Sequence, residues 1–118
     1  IHPLVKPNKG AYPNMIDDIK SAYIEAGNKN SILVFPVGIA FENAYFQKPD
    51  IALHKKIDGS HPDMLGTYLA ACVIFSSITQ VSPKILSYDY FGEIKIEEKD
   101  FLQKVAHETV EQFYEIEL

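Results

Sequence analysis

The sequence predicts an α/β fold, rich in helix and carrying a single strand. Apolar residues recur at three- and four-residue intervals over four separate stretches, as on the buried faces of helices. One short run, S-I-L-V-F at 31–35, is almost wholly apolar and partly β-branched, which suits a strand covered on both faces. That run sits between two of the helical stretches, and helix, strand, helix is the order of layered α/β proteins. A chain of 118 residues, 47% hydrophobic and 23% charged, has the make-up of one globular domain.

Residues 1–11 hold Pro3, Pro7 and Gly10 and read as an extended lead-in. From Tyr12 the spacing of Met15, Ile16, Ile19, Tyr23 and Ala26 predicts an amphipathic helix that Gly27-Asn28 would stop. After the strand at 31–35 and Pro36, residues 38–47 predict a second helix on Ile39, Phe41, Ala44 and Tyr45, closed by K-P-D at 48–50. Residues 51–57 are mixed in pattern and are assigned as a loop or short extended piece that runs into D-G-S-H-P at 58–62. Asp63 is a good N-cap for a long apolar helix to about Thr79, built on Leu65, Tyr68, Leu69, Cys72, Val73, Phe75 and Ile78. Ser82-Pro83 breaks it, and residues 87–95 form a connection with room for a small turn. Phe101, Leu102, Val105, Ala106, Thr109, Val110 and Phe113 give the last helix one apolar face, with Ile96 ahead of Glu97 predicted to staple onto Phe101. No internal repeat or flexible linker interrupts the series.

Composition narrows the partners. All 11 basic residues are Lys, so the bidentate fork of Arg is missing, and no basic stripe matches a nucleic-acid backbone. The net charge of −5 lies in residues 92–118, with eight acidic and three basic side chains. The longest apolar run, 69–75, is far below the roughly 18 residues of a membrane span. Neither nucleic acid nor membrane is an expected partner. Cys72 stands alone in an apolar helical pattern and reads as a packed core thiol.

Chemistry concentrates in residues 58–62. Pro62 keeps His61 out of the α region, which places the imidazole on a loop just ahead of the long helix. Gly59 permits a tight turn that brings the Asp58 carboxylate to that ring. An Asp accepting from one ring nitrogen leaves the other free to take a proton, the acid–base half of a hydrolytic triad. The competing reading is an Asx turn at Asp58 with His61 exposed. His54, Asp58 and His61 are also spaced for a two-His, one-carboxylate metal set. His107 and Glu111 resemble the start of a helical zinc motif in which Glu replaces the second His, and they read as a solvated polar face.

D-G-S-H-P followed by D-M-L-G-T-Y-L-A-A-C-V-I-F, residues 58–75, resembles the last sequence block of the SGNH (GDSL-like) hydrolases. The similarity extends to I-L-V-F-P-V-G-I-A-F at 32–41 and I-E-E-K-D-F-L-Q-K-V-A-H-E-T-V at 96–110. The resemblance implies that Asp58 and His61 are the catalytic acid and base of an ester hydrolase with no metal or other cofactor. Its substrate would be a small ester or an acylated carbohydrate. It also implies a three-layer α/β/α fold of which this segment is the C-terminal portion. The blocks that carry the nucleophilic Ser and the oxyanion residues have no counterpart here, and Ser60 is too close to His61 in sequence to reach the far ring nitrogen. With the chain starting at Ile1, the expectation is an N-terminal half that is absent from this sequence. One strand offers the helices little apolar surface, so they are expected to pack on that half or on a second copy. The alternatives are a non-catalytic helical interaction module and the His54, Asp58, His61 metal site.

Overall fold

A computed structural model describes residues 14–118; the lead-in predicted at 1–11 and Tyr12 lie outside the described residues. Four α-helices follow one another, α1 (Met15–Asn30), α2 (Val37–Gln47), α3 (Met64–Thr79) and α4 (Ile96–Tyr114), with a 3-10 turn at Pro83–Ile85 between the last two. Among the described residues there is no strand and no sheet, only an isolated bridge between His54 and Pro62. The α/β expectation, including the three-layer form, is therefore corrected to a helical fold.

The physical reason lies at residues 31–35. The segment has the β-branched content of a strand, but a ladder needs a second strand and none is present among the described residues. Its backbone finds other partners: Ile32 N–H donates to Gly27 O at 3.0 Å, and Tyr114 Oη–H donates to Val34 O at 2.5 Å. Val34 and Phe35 turn inward, while Ile32 and Leu33 remain 66% and 53% exposed.

Two helix boundaries differ from expectation for reasons of packing. Gly27 does not stop α1 but lies buried inside it, because the Val34 side chain occupies the place where a Cβ would stand, 2.4 Å away. α1 ends instead at Ser31, whose left-handed φ of 54° lets its N–H close onto Gly27 O. At α4 the N-cap is Lys95 and Ile96 is 64% exposed, so the predicted staple is not made; Ile94 is the buried residue there. Glu97 and Glu98 sit in the first turn, where the helix dipole favours negative charge. Lys48 Nζ lies 5.2 Å from the centre of the Phe101 ring.

The core forms where α2, α3 and α4 meet. Phe41, Leu69, Val73, Leu102, Val105 and Val110 are fully buried there, joined by Leu53 from the loop ahead of α3. The helices thus supply one another with apolar surface, against the expectation that they lacked it. α3 is apolar on nearly every side, and Ile74 and Ile78 face outward. Among the described residues no helix is long and apolar enough to cross a membrane.

Asp63 caps α3 as predicted: in extended conformation it accepts from Met64 N–H at 2.9 Å. Asp63→Ala is expected to lower stability by about 1 kcal/mol, read as a lower urea midpoint with unchanged m-value.

Candidate functional site

Residues 53–63 form a loop clamped at its base. Asp63 N–H donates to Leu53 O at 2.7 Å and Lys55 N–H donates to His61 O at 2.8 Å, so the chain leaves and re-enters along one narrow track. Within it, Gly59 takes a φ of +63°, a conformation glycine adopts without penalty, and its N–H donates to Lys55 O at 2.8 Å.

That geometry joins Asp58 to His61 in two ways at once. Asp58 Oδ1 accepts from Ser60 N–H at 2.8 Å and His61 N–H at 3.0 Å, which is the Asx turn. Asp58 Oδ2 lies 2.7 Å from His61 Nδ1, which is the contact that the acid–base reading requires. The two sequence readings are compatible because each carboxylate oxygen serves one of them. The backbone N–H groups of Ser60 and His61, followed by the His61 ring, hold the Asp58 carboxyl down to about 2. As an ionised carboxylate Asp58 can only accept, so Nδ1 carries the hydrogen and donates it. In neutral His61 the acceptor nitrogen is then Nε2. The His61 side chain is 74% exposed, and no described residue bonds its Nε2.

His54 does not join this pair. It is 6% exposed, hydrogen-bonded through Nδ1 to Tyr45 Oη at 2.6 Å, stacked on the Tyr45 ring and met edge-on by Phe41. Burial pushes the Tyr45 phenol up to about 12. His54 is thus a core residue that anchors the base of the loop onto α2. Among the described residues no group of three or more His, Cys, Asp or Glu is placed to hold a metal ion.

His107 and Glu111 differ from the expected solvated face. His107 is only 15% exposed in its side chain, with Nδ1 2.9 Å from Ser82 Oγ and Nε2 3.4 Å from Glu111 Oε1. Sequence reasoning misses Ser82 because it lies 25 residues away. The order hydroxyl, imidazole, carboxylate is that of a triad, yet Ser82 Oγ also accepts from Lys84 N–H, and Pro83 has no N–H to offer an oxyanion. The cluster ties the 3-10 turn to α4. Cys72 is buried as expected, and desolvation pushes its thiol up to about 12, so no thiolate forms near neutrality.

Sequence reasoning also passes over the wall beside the loop. A groove of about 640 Å³ begins at Pro62, next to His61, and runs along α3 to Phe75 and Leu86, with Tyr88 and Tyr90 on its opposite wall. The aromatic loop that closes it is held from below: Tyr68 Oη–H donates to Tyr88 O at 2.7 Å, and Gln103 Nε2 donates to Leu86 O at 2.9 Å. Aromatic spacing in residues 88–91 is the one signal in the sequence that points there. Compared with known family models, with curated proteins and with solved structures, the chain finds no match in any of the three.

Proposed function

We propose that Asp58 and His61 are the orienting acid and the general base of a serine ester hydrolase of the SGNH type. The observation that carries this is the 2.7 Å contact between an ionised Asp58 and His61 Nδ1, which fixes the tautomer and leaves Nε2 exposed as an acceptor. In the reaction, Nε2 takes the proton of a Ser hydroxyl as its oxygen adds to the ester carbonyl. It returns that proton to the departing alcohol, leaving an acyl-serine. Water repeats the sequence and releases the acid. General-base assistance of this kind contributes about 10² to 10⁴ in rate. The substrate is a small ester or an acylated carbohydrate.

The nucleophile comes from outside residues 14–118. Ser60 is adjacent to His61 in sequence and cannot readily reach its far ring nitrogen, Ser76 and Ser77 are buried in α3, and Ser82 is committed to His107. Ser21 and Ser31 belong to α1 and its C-cap, and Ser87 to the 86–90 segment beside α3, none of them in the 53–63 loop. An N-terminal part of the same polypeptide is its expected source. The test is fluorophosphonate labelling of the protein expressed from its natural reading frame, with the adduct mapped by mass spectrometry. Labelling is expected on a Ser outside residues 14–118 and is expected to vanish in His61→Ala. An adduct on any Ser within 14–118, or labelling indifferent to His61, would overturn the proposal.

A further inference from the structure

Resting on the hydrolase reading of the Asp58–His61 pair, we propose that the groove along α3 binds the acyl chain of the ester, selecting medium-length aliphatic acyl groups over acetyl. Its volume, about 640 Å³, lies within the range of small-molecule sites. Its walls are largely apolar: Pro62, Ala71, Phe75 and Leu86 line it, with Tyr88, held against Tyr68, and Tyr90 on the wall across from the first turns of α3. α3 makes this possible because it is apolar even on the side turned away from the core. At the near end stand Asp63, whose carboxylate caps α3, and Lys55, the one cation in the lining, whose ammonium forms no ion pair among the described residues. A chain with a carbonyl or carboxylate head matches that polarity, with the head beside Lys55 and the tail along α3 toward Phe75 and Leu86.

The aromatic wall is preformed. Tyr90 and Phe91 hold left-handed φ values of 57° and 58° ahead of Gly92 at 80°, a conformation costly for aromatic residues. Gly92 N–H donating to Asp89 Oδ1 at 2.8 Å and Ile94 N–H donating to Asp89 O at 3.1 Å keep it closed. The ring faces therefore stand ready without reorganisation on binding.

The experiment is a calorimetric titration of the 118-residue chain with acetate, hexanoate, octanoate and decanoate, and with decanol. Affinity is expected to rise by about two- to fourfold per methylene from hexanoate to decanoate, with acetate unbound. Ala71→Trp, which fills the groove from an exposed position, is expected to abolish decanoate binding. Lys55→Gln is expected to weaken decanoate by roughly two- to fivefold and to leave decanol unchanged. Circular dichroism reads the fold of each variant. Decanoate binding that ignores Ala71→Trp, the absence of a chain-length trend, or self-association of the chain through this groove would overturn the proposal. Failure of the hydrolase reading is separable: decanoate would bind and follow the two variants, while the natural gene product would show no His61-dependent labelling.

Discussion

Under the proposed mechanism, Asp58→Asn is expected to lower the rate of ester hydrolysis by roughly 10⁴-fold. The Asp58 carboxylate satisfies two backbone donors with Oδ1 and the imidazole with Oδ2. Asparagine has one carbonyl oxygen for these two tasks. With that oxygen on the backbone donors, its amide N–H faces His61 Nδ1 and drives the ring hydrogen to Nε2, where a base must be unprotonated. The readout is kcat on a chromogenic ester beside the amide chemical shifts of Ser60 and His61, which report whether the turn survives. A loss below tenfold with the turn intact would remove Asp58 from the mechanism. The same variant has a pH signature. An unfolded Asp titrates near 4, whereas Asp58 in the fold titrates at about 2, so the folded state favours the charged form. Its stabilising contribution is complete above pH about 4 and is lost as pH falls toward 2. Asp58→Asn is therefore expected to be less stable than the parent at pH 6, with the gap between their urea midpoints closing from pH 4 to pH 2.

The Asp58–His61 pair is legible in the sequence because everything that shapes it lies within a few residues: a carboxylate, a glycine at positive φ, and a proline that denies His61 the helix. Helices α2, α3 and α4 are legible for the same reason, since their apolar periodicity and the Asp63 cap are local signals. What sequence cannot give is the partner at long range. The run at 31–35 has strand composition, yet pairing is a property of two segments, and here its carbonyl at Val34 is taken by Tyr114, 80 residues away. His54 looks equivalent to His61 as a letter. Tyr45 and Phe41 on α2 make it a core residue, and only the fold reveals that. Gly27 shows the same ambiguity, because the residue that stops helices is also the one that lets a neighbour approach, and Val34 decides between the two.

Gly66→Ala is expected to destabilise the protein by about 2 to 3 kcal/mol, against the gain of about 1 kcal/mol that the same change brings in an exposed helix. A Cβ at position 66 would stand 2.2 Å from Leu53 O and 3.1 Å from Phe41 Cζ. The first of these is backbone and cannot rotate away. Leu53 O is also the acceptor for Asp63 N–H, so relief by displacement opens the clamp at the base of the 53–63 loop. Two consequences are measurable. The melting temperature is expected to fall on the order of 10 °C. Protection of the Asp63 amide against hydrogen exchange is expected to drop more than that of Leu102 or Val105 in the core, because the loop separates from α3 before the helices part. A neutral or stabilising Gly66→Ala would mean that α3 does not rest on the Leu53 carbonyl. Gly66 would then have no part in positioning His61, since the contact between the first turn of α3 and that carbonyl is what transmits the helix position to the loop.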